Sequence, residues 1–260
     1  MALITGTKLA NIKKCPLKRE WNSKYHNSPL GGSSIKRKPD IILLDKALKT
    51  NPVWLNVCGV CEIMSSDNFH ARIHNTIHNK AFIIMTTQFD RRFTLFLSVA
   101  GISFKLVACD HAGVVISATY NLHNDPLVVL RILAGFMFSD EIFIGYDPSI
   151  SRDNKDNLLQ ITVTHKEYNI VNKIFTSKTL RGHATQCWKV RREGMECVMK
   201  DTWIQVEQQS NEIDILRHIA GVHCVPSIVE EEDLALPDGT ANSTAEICKG
   251  LDPKVENRLH

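Results

Sequence analysis

A lysine closing an apolar strand constrains this chain more than any other feature. The run Glu196-Cys197-Val198-Met199-Lys200 has strand character, as does Gln186-Cys187-Trp188-Lys189-Val190 before it, and a turn at Gly182 leads into the pair. The two runs predict a β-hairpin. An ammonium at the end of an apolar strand is costly unless it meets an anion. Ser210-Asn211-Glu212 opens a helix with Ile213, Ile215, Leu216 and Ile219 as its apolar face, so Glu212 is placed to supply that anion. Glu207 is nearer in sequence but precedes Gln208-Gln209-Ser210, in the connection rather than on the helix. The plainer alternative is a lysine that snorkels to solvent.

A glycine turn, a strand lysine and a helix glutamate, in this order, resemble the small lobe of a protein kinase, where a glycine-rich loop covers the ATP phosphates. The closer resemblance is to the fungal-type protein kinase-like family. It is carried by Arg181-Gly182-His183-Ala184-Thr185, Cys187-Trp188-Lys189, Val198-Met199-Lys200-Asp201-Thr202-Trp203, Glu212 and Gly221-Val222. Upstream, Arg37-Lys38-Pro39-Asp40-Ile41-Ile42-Leu43-Leu44 and Asp90-Arg91-Arg92-Phe93 resemble the leading region of the same family, so the likeness spans most of the chain. It implies that Gly182, Thr185, Lys200 and Glu212 are the ATP-binding residues. One glycine, Gly182, stands where an ordinary kinase loop has three.

At 260 residues, 43% hydrophobic and 23% charged, the chain is long enough for one large or two modest globular domains. A net charge of +3 with interspersed signs argues against nucleic-acid and membrane partners. The amino-terminal segment departs from that balance, with Lys8, Lys13, Lys14, Lys18, Arg19, Lys24, Lys36, Arg37 and Lys38 facing only Glu20. Residues 1–35 are therefore expected to be a flexible basic tail. Met1-Ala2-Leu3-Ile4 lacks a basic region and a long apolar core, and no apolar run reaches the ~18 residues of a membrane span. The expected location is intracellular, cytoplasmic or nuclear, with the eight cysteines reduced.

Beyond the tail, Ile41 to Leu44 and Val53 to Ile63 are predicted strands. A helix follows, capped by Ser65, Ser66 or Asp67, with Phe69, Ile73, Ile77, Ala81 and Ile84 on one face. Phe93–Leu97, Ser103–Ala108 and Val114–Ala118 predict an antiparallel meander, and Asp125 with Pro126 starts a helix running to about Phe138. The polar stretch from Ser151 to Asn157 marks the domain boundary. The expected class is α+β: an α/β domain over residues 36–150, an incomplete kinase-like small lobe over 151–235, and a polar segment over 236–260.

Cys58, Cys61, His74 and His78 have the spacing of a zinc finger. The two places that should hold the finger's apolar core are Ser65 and Ala71, and the thiols fall in a strand, where residues three apart face opposite ways. Buried thiols beside a hydrated histidine face are the expected outcome, with zinc below stoichiometry. A second metal alternative is Asp40 with Glu62. Pro39-Asp40 ahead of a strand ending in Glu62-Ile63-Met64 resembles the restriction-endonuclease-like core, whose lysine place is Met64 here. A thioether cannot polarise a water, so the resemblance implies a degenerate nuclease-like fold without cleavage.

In the second half, Leu158–Thr164, Tyr168–Phe175 and Val225–Val229 are predicted strands. Residues 230–260 contain no His-Arg-Asp loop and no Asp-Phe-Gly aspartate, the elements that supply base and magnesium ligands for phosphoryl transfer. Two expectations follow. One is a truncated kinase whose lobe keeps its geometry without turnover, taking ATP and magnesium only if a large lobe is supplied. The other is a non-catalytic interaction protein, the exposed face of its orphan lobe covered by a protein partner.

Overall fold

The structure, a computed structural model, describes residues 16–48, 50–65, 70–153, 158–180, 182–204, 211–243 and 246. The architecture is α+β, in two compact units: Met1–Asp147 with Ser243–His260, and Pro148–Asn242.

The first unit is built on a seven-stranded mixed sheet. Its strands are β1 (Arg19–Asn22), β2 (Ile41–Asp45), β3 (Val57–Met64), β4 (Phe93–Ala100), β5 (Ser103–Asp110), β6 (Val114–Ile116) and β7 (Tyr120–Asn121). They lie in the order β1-β2-β3-β4-β5-β6, with β7 also on β5. Every pairing is antiparallel except β3 with β4. A parallel pair needs a crossover, and helix α1 (His70–Thr87) provides it.

Helix α2 (Pro126–Phe138) sets one face of the sheet. Its Val129, Ile132 and Phe136 pack on Leu43, Cys61, Leu95, Leu97, Phe104 and Leu106, each of them buried. Gly59 makes that approach possible, because a Cβ there would lie 3.0 Å from Phe136 Cε1. Burying a side chain such as Phe136 contributes roughly 1.5–3 kcal/mol. The alternate residues of β4, Thr94, Phe96 and Ser98, project from the opposite face and are fully buried there. Ile77, Ala81 and Ile84 of α1 are buried as the helical spacing predicts; Ser66, Asp67 and Phe69 lie outside the described residues.

The basic tail is corrected from residue 16 onward. β1 pairs with β2, and Arg19 is buried with its guanidinium donating to the carbonyls of Phe136 and Ser139, both at 2.8 Å. The last carbonyls of a helix have no partner within it and carry partial negative charge. Arg19 satisfies those of α2, Lys18 N donates to Met137 O at 3.1 Å, and the Lys18 ammonium meets Asp140. Lys18 and Arg19, read as part of a loose tail, cap the end of a helix more than a hundred residues away in sequence.

Three local expectations also change. The strand expected from Val53 begins with a 3-10 turn, Trp54–Asn56, and extends only from Val57. Asp125 does not cap α2 through its side chain but accepts a bond from Asn121 N at 2.8 Å. Val225–Val229 forms no strand; Pro226 lacks the N–H a ladder requires.

Asp90-Arg91-Arg92-Phe93 is a structural latch. The Arg91 guanidinium lies 3.6 Å from the centre of the Tyr146 ring and donates to Gln88 Oε1 at 2.6 Å and to the carbonyls of Val57 and Cys58 at 3.2 Å. Gln88 in turn donates to Trp54 O and Val57 O. These bonds tie the end of α1 to the start of β3.

The second unit is a five-stranded antiparallel sheet in the order β12-β11-β10-β9-β8. Its strands are β8 (Ile150–Arg152), β9 (Leu158–Val163), β10 (Lys166–Thr176), β11 (Gln186–Arg192) and β12 (Met195–Asp201), followed by helix α3 (Asn211–His218). Alternation is clear on β11, where Gln186, Trp188 and Val190 are buried and Cys187 and Lys189 are half-buried. Two-residue turns join β9 to β10 at Thr164-His165 and β11 to β12 at Glu193-Gly194, all four residues with positive φ, as a type I′ turn requires.

Candidate functional site

The hairpin of β11 and β12 places Lys200 opposite Cys187, one residue from the strand end. From there its ammonium reaches both carboxylate oxygens of Glu212 in the first turn of α3, with Oε1 at 2.6 Å. Eleven residues lie between the two in sequence, so the pair is a local one. It is an open contact, the side chains being 41% and 60% exposed. Solvent screening limits its contribution to about 1 kcal/mol or less, so its importance is positional.

The segment between β10 and β11 carries Gly182, whose φ of +107 belongs to the region glycine enters freely and around which there is open space. Thr185 is fixed beside it. Its Oγ1 is 3.1 Å from Thr202 Oγ1, Thr202 donates to His183 O at 3.1 Å, and Trp203 N donates to the same carbonyl at 2.8 Å. Gly182 and Thr185 thus lie in the segment leading into the hairpin, Lys200 on its second strand and Glu212 on the helix after it. Thr202 is the member of this set that sequence pattern does not single out, since it follows the strand. Ile215 of α3 and Ile219 just after it are exposed, as are Val171, Ile174 and Phe175 of β10 and Val198 of β12.

The zinc-finger residues are separated. Cys58 and Cys61 lie on β3 inside the cluster packed by α2, whereas His78 of α1 is exposed; the His74 side chain lies outside the described residues. The two thiols share a face, contrary to the expectation from strand alternation. The register slips between Leu43 and Leu44, which face Gly59 and Val57, so Cys58 is the extra residue of a bulge. Burial pushes the Cys58 thiol up, and burial with the neighbouring Glu62 charge pushes Cys61 up to about 12, so neither is a ready thiolate. Among the described residues no group of three His, Cys, Asp or Glu is arranged to hold a metal.

Asp40 and Glu62 do come together. Asp40 Oδ2 accepts from Ile63 N at 2.8 Å, and the Glu62 carboxylate takes a bond from the Asp40 backbone N–H. Glu62 is buried against Lys80 of α1, itself buried. Burial raises the Glu62 pKa, opposed by the Lys80 charge and hydrogen bond. The sequence pattern points to no lysine here, because Met64 occupies the expected lysine position. The signal was available on the helix, where Ile77, Lys80, Ala81 and Ile84 share one face.

Residues 38–260 match the family described as Fungal protein kinase. The match covers most of the chain, and the chain belongs to this family. No curated protein and no solved structure matches it. Among the described residues, no helix is long and apolar enough to cross a membrane.

Proposed function

We propose that the second unit is a kinase-type small lobe that holds its lysine and glutamate in the nucleotide-ready arrangement and does not transfer phosphate by itself. The observation that carries this reading is the two-oxygen contact between Lys200 on β12 and Glu212 on α3. Magnesium, which accompanies ATP in phosphoryl transfer, does not fit these residues. Glu212 gives both oxygens to Lys200, and residues 230–260 contain neither an Asp-Phe-Gly nor a His-Arg-Asp sequence. A large lobe supplying those groups would complete the site. The exposed apolar residues of β10, β12 and α3 are the surface such a lobe, or another protein, would cover.

Calorimetric titration with magnesium and ATP tests the reading. Binding weaker than micromolar is expected, since Lys200 alone is left to hold phosphate. Micromolar affinity abolished by Lys200→Ala would show a working nucleotide site in this chain and overturn the proposal.

A second reading, a non-catalytic interaction protein with a nuclease-like first unit, is favoured by one observation. The antiparallel β2 and β3 bring Asp40 and Glu62 side by side, and α1 then leads to a parallel β4, as in a restriction-endonuclease-like core.

A further inference from the structure

Helix α2 is apolar on both sides. Val129, Ile132 and Phe136 fill the core beneath it, and Leu127, Leu130, Ala134 and Phe138 recur in steps of three and four residues along the opposite side. A helix that only covers a sheet carries polar residues outward, and one that is apolar all round belongs in an interior. Here the outward side is open. Leu127 and Leu130 are 68% and 60% exposed, Leu127 being the most exposed large apolar side chain among the described residues, with Ala134 and Phe138 half-buried beside them. The helix has a single charged residue, Arg131, which is exposed on the same side.

The charges around α2 run against its own dipole. Its positive start has no acidic residue in the first turn and no side-chain cap. The acidic residues stand at the negative end instead, where Asp140 and Glu141 follow the helix and are exposed. The Lys18 ammonium answers Asp140. Glu141 is answered by a second α2 lying antiparallel on the first, since that arrangement carries Glu141 of one copy to the start of the other copy's helix, toward Arg131.

We propose that the outward side of α2 is the interface of a two-fold symmetric dimer, in which α2 packs antiparallel on α2 of a second copy of this chain. The inference concerns the first unit and is independent of the kinase-type reading. Two-fold symmetry makes one stripe its own complement. With Ala134 on the axis, the small side chain lets the two helices approach closely, and Leu130 packs beside the Phe138 of the second copy, large residues alternating with small across the contact. In the same register Arg131 lies one helical turn from the second copy's Glu141, a distance its side chain spans. Charge and apolar pattern therefore select the same antiparallel arrangement. Helices about 20 Å long, meeting along their length, make an interface at or below the lower end of the roughly 1,200–2,000 Å² that stable complexes bury. The dimer should accordingly dissociate on dilution.

Sedimentation velocity of the whole chain over a range of concentrations tests the interface. The native chain should pass from monomer to dimer as concentration rises through the micromolar range. Leu130→Glu places a charge in the apolar contact and should weaken association by about tenfold or more. Because Leu130 is exposed in the single chain, this variant should keep its fold, which circular dichroism checks. Arg131→Glu and Glu141→Arg should each weaken the dimer, and the two together should restore it, since the exchanged charges still meet. A native chain that stays monomeric at hundreds of micromolar would overturn the proposal, whether its α2 face is then open or covered from within the chain. So would a dimer that folded Leu130→Glu leaves intact, or charge variants that weaken the dimer singly and do not recover in combination.

Discussion

The Lys80 ammonium rests on Oε1 of Glu62, with the two side chains only 1% and 7% exposed. A helix lysine and a strand glutamate have been taken out of water together, so each depends on the other. Removing one partner leaves an uncompensated buried charge, and Lys80→Met or Glu62→Leu should each destabilise the first unit by about 3–5 kcal/mol. Removing both is a different case. Lys80→Met combined with Glu62→Leu should cost far less than the sum, because neither charge remains to be solvated. Urea denaturation of the four proteins provides the cycle, and additive losses would show that the two residues do not act as a unit.

Gly145 and Gly182 both have positive φ, yet their surroundings differ, so the same substitution should have unequal effects. A Cβ on Gly145 would fall 1.9 Å from Phe93 O, against backbone that β4 holds in place, whereas nothing lies within 4 Å of one on Gly182. Gly182→Ala meets only the left-handed penalty of about 1–2 kcal/mol. Gly145→Ala adds a clash that displaces β4, and its cost should exceed about 4 kcal/mol. Thermal and chemical denaturation of each variant will distinguish them; comparable losses would mean that the Gly145 loop can shift away from β4.

How far the sequence exposed this structure depends on how local each feature is. The spacing of Ile77, Ala81 and Ile84 predicts α1, and one more position on that face places Lys80 inside. The contact between Lys200 and Glu212 is legible because the strand and the helix lie within a short stretch of sequence. β1 is not legible in the same way. Arg19-Glu20-Trp21-Asn22 looks like a solvated basic segment, and only the carbonyls at the far end of α2 make Arg19 a buried residue. The bulge at Cys58 is likewise invisible in β3 alone, since it is a property of the register with β2. Val225–Val229 errs in the other direction. It has strand composition, but β propensity is realised only by a neighbour to pair with.

Thiol reactivity should follow the two environments of the cysteines. Cys58 and Cys61 are buried among the residues that pack on α2, and their raised pKa values keep them protonated at neutral pH. Cys224 is exposed. Brief alkylation of the folded protein followed by peptide mass spectrometry should label Cys224 and spare Cys58 and Cys61 until denaturant is added. Rapid labelling of Cys61 in the native state would contradict its place in the core.

The last prediction concerns acid and the turn at Thr164-His165. Thr164 has a φ of +47, a conformation that a β-branched residue seldom adopts, so the turn needs support from outside itself. Glu232 Oε2 accepts from Thr164 N at 2.6 Å, Glu230 Oε2 accepts from Thr164 Oγ1 at 2.8 Å, and the Lys166 ammonium pairs with the other Glu230 oxygen. Hydrogen bonds from Lys166 and Thr164 are the main cause that pulls the Glu230 pKa down from 4.5 to about 2. A carboxylate with a lowered native pKa binds its proton more readily in the unfolded chain. The stability it contributes is therefore present above the unfolded value and lost as pH falls from about 4.5 toward 2. Glu230→Gln should narrow that part of the acid transition of the second unit and leave the neutral side of the profile parallel to the native one. Lys166→Met should act in the same direction by removing the first cause of the shift. Denaturation midpoints measured at intervals between neutral pH and pH 2 provide the test: if the native protein and Glu230→Gln lose stability in parallel across the acid range, Glu230 is not the group that holds the turn.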